Sequence, residues 1–284
     1  MVSCQSSRSV ATPVVTVVNF PPPQVPPPLP RASQSAPKST EPVREKNSSS
    51  RENNPRPTFR KPTRQRTRGN ARGSARASQT SFTNAIVSIN VGLYLWMSVT
   101  NFGMASNNFV ISRYFLEQGE WYRLMSCGFV HFGLFHVAMN MMLAYQLGQM
   151  FEPRIGSLRF GLLYVASLLG GSVGALVLSP DAVTGGASGA VFGLMAAAIV
   201  GMRHEGLNPM RSGLGVTFVI NLVITLTIPG ISIGGHFGGA AIGAICGAVV
   251  LAPISWRLPK WLGIVVPCLL SSALIYFAVN FVNA

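Results

Sequence analysis

Beyond about residue 82 the sequence runs through seven apolar stretches divided by short polar breaks, and this pattern leaves few folds open to it. A helix needs about 20 mostly apolar residues, rising about 1.5 Å each, to cross the hydrocarbon of a bilayer. Backbone N–H and C=O groups in hydrocarbon must pair within the segment, so such stretches become helices. They lie at residues 85–104, 126–150, 160–178, 188–202, 213–228, 235–254 and 261–282, the fourth being the shortest. The expected fold class is therefore all-α, a polytopic membrane bundle of seven transmembrane helices spanning residues 82–284.

The breaks between the stretches test that reading, because Lys and Arg collect in loops on the cytoplasmic side. Arg154 and Arg159 follow the second stretch, Arg203 and Arg211 the fourth, and Arg257 and Lys260 the sixth. A basic N-terminal segment precedes the first. All four places fall on one side of a seven-span topology. The loops at 179–187 and 229–234 carry no Lys or Arg and fall on the other. The first loop, about residues 105–125, breaks the pattern with Arg113 and Arg123 beside Glu117 and Glu120.

Residues 1–81 hold 14 Lys or Arg, three acids and 13 of the 20 prolines. Runs such as Pro21–Pro23 favour extended polyproline geometry, and the Ser, Asn and Arg that follow bury too little apolar surface to offset ordering entropy. This segment is expected to be a disordered cytoplasmic tail. The formal charge of +14 would suggest nucleic acid, yet about +11 of it sits in this tail, ahead of a hydrophobic segment. Anionic headgroups are the simpler partner, and only one aromatic residue, Phe59, lies among the arginines, so nucleic acid is not expected. The first hydrophobic stretch lacks a cleavage site followed by a polar mature domain, so no signal peptide is expected. Cys4, Cys127, Cys246 and Cys268 lie far apart and show no CxxC spacing, which argues against a disulfide framework or a cysteine metal site.

Against this apolar background the exceptions are His136, Asn140, Ser188 and His236, with His131 at the edge of the second stretch. Ionisable groups in hydrocarbon cost roughly 2.5–3.5 kcal/mol each on insertion scales, which makes them candidates for function. Ser188 lies in Gly185-Gly186-Ala187-Ser188-Gly189, where a loop turns into the fourth stretch. The first N–H groups of a helix lack internal partners and favour a developing anion, so this is a natural oxyanion site. His236 opens the sixth stretch in Gly234-Gly235-His236-Phe237-Gly238-Gly239, at similar depth. Gly185, Gly189 and Gly193 on one helix, and Gly235, Gly239, Gly243 and Gly247 on the other, recur every four residues. Such ridges let backbones approach closely, and would bring the Ser188 hydroxyl to the His236 imidazole. Read alone, each ridge is equally a packing motif.

The chain has one aspartate, Asp181, seven residues before Ser188, and its glutamates lie in loops or at membrane edges, so a Ser-His dyad is favoured over a triad. His236 would then be oriented by packing, with Phe192 one turn from Ser188 as a candidate. His136 and Asn140, four residues apart on one helix face, can both donate hydrogen bonds towards one point. They are read as stabilisers of a tetrahedral intermediate, with a buried polar bridge between helices as the alternative. Gly186 is grouped with them as an oxyanion and substrate-binding residue. His131 is given a structural role. No HExxH and no acid accompany the histidines, so neither a metal nor another cofactor is expected.

These residues resemble the rhomboid family of intramembrane serine proteases over about residues 82–282. The resemblance rests on Glu120-Trp121-Tyr122-Arg123 followed by His131, His136 and Asn140, on Gly186-Ala187-Ser188-Gly189, and on His236-Phe237-Gly238-Gly239 with Gly243. It implies a six-helix core with a C-terminal seventh helix, and cleavage of single-span membrane protein substrates in or near their transmembrane segments. Ser188 is then the nucleophile and His236 the general base, with His136, Asn140 and the Ser188 N–H as oxyanion donors. A short fourth helix would recess Ser188 in a wet cavity, and a partly embedded first loop with a Trp-Arg pair would account for its charges. Tyr122 stands here in the usual tryptophan position, and Phe192 where a tyrosine often packs on the histidine. The expected location is a multi-pass protein of the cell membrane with a cytoplasmic N-terminus. The alternatives are an inactive rhomboid-like protein that binds membrane clients, and a seven-helix receptor or transporter. The last would carry its polar groups near the bilayer midplane rather than in one outer third.

Overall fold

The computed structural model describes residues 80–283. The expectation of a disordered segment over residues 1–81 therefore falls, but for its last two residues, outside the described residues, and a helix already begins at Ser81. The α-helices are α1 (Ser81–Val99), α2 (Phe102–Asn107), α3 (Arg113–Glu117), α4 (Arg123–Ser126), α5 (Leu134–Ile155), α6 (Ser157–Leu178), α7 (Ser188–His204), α8 (Leu214–Thr227), α9 (Ile233–Val250) and α10 (Leu262–Asn283). Short 3-10 turns follow α4 and α9. Apart from one bridge between Ile111 and Thr184, the described residues contain no β-structure, so the chain is an all-α bundle.

Each of the seven apolar stretches holds one long helix, but their lengths differ. By length and composition α1, α6, α9 and α10 can each cross a membrane. The α5 helix follows Arg123–Phe129 after a bend of 101°. The remaining two are shorter, 17 residues in α7 and 14 in α8. Two expected boundaries are corrected. The first helix stops at Val99, because Asn101 accepts the Met104 N–H at 3.2 Å and caps a separate helix, α2. The second stretch is not one helix from residue 126, because Val130 and Gly133 are extended and the chain turns before Leu134.

The centre of the bundle is a three-helix contact made by glycine. An added Cβ on Gly238 would collide with the Gly170 carbonyl on α6, and one on Gly234 with that of Gly174. On the other side of α9, Gly239 and Gly243 lie against Gly189 and Gly193 of α7, and a Cβ on Gly247 would come within 2.6 Å of the Ala197 Cα. Backbones this close gain dispersion and Cα–H contacts that side chains would prevent. The glycines of α7 and α9 were expected to form ridges. Gly170 and Gly174 on α6 were not, although their four-residue spacing is the same signal.

Around this centre α1 packs on α5 and α6, with Phe82 edge-on to Phe160 and Tyr164 at 5.8 and 5.9 Å. Glu152, expected at a membrane edge, is instead buried near the end of α5. It accepts the Phe82 and Thr83 N–H groups, both at 2.8 Å, and so caps α1 from a neighbouring helix. Arg123 accounts for the charge of the first loop. It is buried, ion-paired to Glu120, donates to the Val110 carbonyl at 2.8 Å, and lies 3.9 Å over the Phe115 ring. The loop closes on this cation as a folded unit.

Two glycines should respond oppositely to one methyl group. Gly239→Ala forces its Cβ into the Gly189 backbone and is expected to destabilise by about 1–3 kcal/mol. Gly92→Ala on α1, with nothing within 4 Å, is expected to be neutral or stabilising by up to about 1 kcal/mol. Thermal unfolding of the two purified variants in detergent checks both, and equal shifts would remove the glycine contact from the account.

Candidate active site

Two helix starts lying side by side create the site. Ser232 accepts the Gly235 N–H at 3.0 Å and fixes where α9 begins, which puts His236 in its first turn. Ser188 opens α7, whose N-cap is Ala187 and which has no side-chain cap. Its leading N–H groups are therefore without intrahelical partners. The glycine contact sets the two starts at one level, and Ser188 Oγ lies 2.8 Å from His236 Nε2.

The imidazole is held from two further directions. The Phe192 ring stacks on it, centroids 4.1 Å apart and planes 14° from parallel, as the one-turn spacing from Ser188 suggested. On its far edge, Thr225 Oγ1 of α8 lies 2.7 Å from Nδ1. The same hydroxyl donates to the Asn221 carbonyl at 2.7 Å. A hydroxyl has one proton, so Thr225 accepts from Nδ1–H, and the neutral ring then presents its Nε2 lone pair to the Ser188 hydroxyl. Every proton in the chain Ser188, His236, Thr225, Asn221 carbonyl is thus used once, in one direction. Thr225 occupies the place next to histidine where a triad has its carboxylate. Sequence reasoning looked for a carboxylate and missed it, because a threonine within an apolar stretch ordinarily back-bonds to its own helix. Asp181 is exposed in the loop before Ser188, away from this chain of bonds.

His136 and Asn140 both line the cavity beside Ser188. Gly186 takes φ +136, a conformation that other residues rarely adopt, and a Cβ there would lie 2.9 Å from His136 Cε1 and 3.6 Å from Ser188 Oγ. His136 thus reaches the serine only across a glycine. The Gly186 N–H donates to the Cys127 carbonyl at 2.8 Å, and the residue lines the same cavity. Asn140 gives one amide proton to the His136 carbonyl at 3.1 Å, which leaves the second for another acceptor. The His131 ring, given a structural role, lies with its centroid 4.9 Å from that of His136. His131 precedes α5, is buried, and its Nε2 accepts the Ala187 N–H at 3.5 Å.

The cavity encloses about 460 Å³ and continues between α5 and α8, where Phe135, Met139 and Ile224 line it. Its floor holds a hydroxyl with a base at hydrogen-bond distance, and uncapped N–H groups at the start of α7. Such a set is suited to nucleophilic attack on a carbonyl and to holding the resulting oxyanion. A 17-residue helix rises about 25 Å, short of the about 30 Å of hydrocarbon in a bilayer.

If Thr225 fixes the tautomer, Thr225→Val should slow fluorophosphonate labelling of Ser188 about 10–100-fold, the value of a hydrogen bond to a group that becomes charged. Thr225→Ser should retain most of the rate. Labelling of the valine variant at the native rate would show that Phe192 packing alone suffices.

Residues 118–253 match the family model described as the Rhomboid domain. The chain is 33% identical over 171 residues to the rhomboid protease GluP of Bacillus subtilis, a match covering 59% of this chain and 32% of that protein. It is 35% identical over 140 residues to RHOMBOID-like protein 4 of Arabidopsis thaliana, covering 46% and 34%. With Rhomboid-type serine protease 2 of Emericella nidulans it shares 30% over 142 residues, covering 46% and 27%. The match spans about a third or less of each of these relatives' own length.

Proposed function

Because the chain belongs to the rhomboid family and is an integral membrane protein, we propose that it is an intramembrane serine endopeptidase acting on transmembrane segments of other membrane proteins. One observation carries the reading: the 2.8 Å approach of Ser188 Oγ to an imidazole whose other nitrogen has its own acceptor. The relatives described as a rhomboid protease and a rhomboid-type serine protease support the reaction class.

In this reading Ser188 Oγ attacks the scissile carbonyl carbon as its proton passes to His236 Nε2. The Ser188 N–H, His136 and the free amide proton of Asn140 receive the oxyanion. Collapse breaks the C–N bond, the imidazolium gives its proton to the leaving amine, and an acyl ester remains on Ser188. Water then loses a proton to Nε2 and attacks the ester, which releases the new carboxylate and restores the serine hydroxyl. Thr225 keeps the imidazole in the required tautomer throughout. No cofactor enters the reaction.

Substrates are single-span proteins whose helices unwind near the Ser188 end, since a protease must present an extended peptide to its nucleophile. The end bearing Arg154, Arg203 and Lys260 is assigned to the cytoplasm by the positive-inside rule. That orientation gives a cytoplasmic N-terminus in the cell membrane and a cavity that opens outward.

In proteoliposomes the full chain is expected to cleave a single-span substrate with small or helix-breaking residues near its outer end. Ser188→Ala and His236→Ala should each lower the rate by at least about 1,000-fold, the loss seen when a member of such a unit is removed. Cleavage that survives Ser188→Ala would end this reading.

A further inference from the structure

A second cavity, of about 540 Å³, lies at the other end of α7 from Ser188. It opens between the ends of α5, α7 and α9 and the loop leading to α10. Four cations line it: Arg154, Arg159, Arg257 and Lys260. One carboxylate accompanies them, Glu205, 3.9 Å from Arg154, so the lining carries a net three positive charges, four less one. The remaining wall is apolar and includes Met202, Leu251 and Leu258. Arg159 is partly buried, its stem running 3.2 Å from where a Cβ on Gly263 would sit, which holds this cation against α10.

Membrane orientation explains why basic residues gather at one end of a bundle. It does not explain why four of the six beyond the first loop converge on one cavity with an apolar wall, while Arg203 and Arg211 stay outside its lining. A diffuse positive surface needs no cavity, and a soluble anion needs no apolar wall. The requirement for both is met by a molecule with a phosphate at one end and hydrocarbon directly behind it. Exposed Trp256 and Trp261 flank the same loop, and indoles of this kind settle at headgroup level.

We propose that this cavity holds the phosphate headgroup of an anionic bilayer lipid. The guanidinium groups pair with the phosphate oxygens, Lys260 adds a point charge, and the apolar wall takes the first methylenes of the acyl chains. Since the lining comes from both ends of the α5–α6 turn, from the end of α7 and from the loop before α10, the lipid ties together segments that the glycine centre does not reach.

Native mass spectrometry of the full-length protein, titrated in neutral detergent with phosphatidylglycerol or phosphatidylcholine, tests this without reference to proteolysis. One phosphatidylglycerol should bind at least about tenfold more tightly than phosphatidylcholine. The double variant R257Q/K260Q, on exposed side chains, should lose about tenfold of that affinity, and Arg159→Gln should lower it likewise. The control R203Q/R211Q, which removes as much charge from the same end but outside the cavity, should change it less than about twofold. Equal losses in the control would reduce the effect to diffuse surface charge and overturn the site. Equal affinity for phosphatidylcholine, or displacement of the lipid by millimolar inorganic phosphate, would overturn the lipid.

Discussion

The approach of α9 to α6 and α7 along rows of glycine is the constraint from which the rest of the molecule follows. A membrane helix gains nothing from burying one apolar side chain in place of another, since lipid is equally apolar, so specificity has to come from shape. Glycine supplies it by letting backbone touch backbone, as Gly239 touches Gly189 and Gly238 touches Gly170. A contact without side chains has little lateral tolerance. The register of three helices is therefore set to within a fraction of a residue, and two residues carried on different helices, Ser188 and His236, arrive at a hydrogen-bond distance with no loop between them to adjust it.

The serine and the histidine meet at one level, where α7 and α9 both begin. The serine begins an uncapped helix, whereas the histidine sits in the first turn of a capped one. The difference matters, because a side-chain cap on α7 would occupy the N–H groups that an oxyanion needs. Gly186 shows the same economy: one absent side chain lets His136 approach the serine, while its N–H holds the loop to Cys127. Together with the bridge between Ile111 and Thr184, that bond fixes the loop ahead of Ser188 against the first-loop unit organised by Arg123.

Much of this was legible because apolar sequence is a quiet background. Ser188 and His236 stand out in it, their flanking glycines advertise close packing, and the spacing of Phe192 from Ser188 already implied a ring near the imidazole. The helices of the bundle could be read from hydropathy, but hydropathy does not report bends, so the break before Leu134 and the separate α2 were missed. Glu152 was misjudged for a related reason: its partners are the N–H groups of α1, and a sequence names side chains only. Thr225 was the least visible. Its hydroxyl looks satisfied within its own helix, and only the three-dimensional arrangement brings a histidine nitrogen to its remaining lone pair.

The placement of Thr225 has a thermodynamic consequence. In α8 only Gly215 and Thr225 are buried, and most of its apolar side chains face outward. The bond that selects the imidazole tautomer is thus also one of the few polar ties between that helix and the rest of the bundle. Linkage makes the two roles reciprocal: whatever free energy the bond gives to the reactive form of His236, it gives equally to the seated position of α8. Proton placement at the histidine and attachment of a peripheral helix are then two readings of a single equilibrium, and a molecule that wedges α8 outward alters the base before it touches the serine.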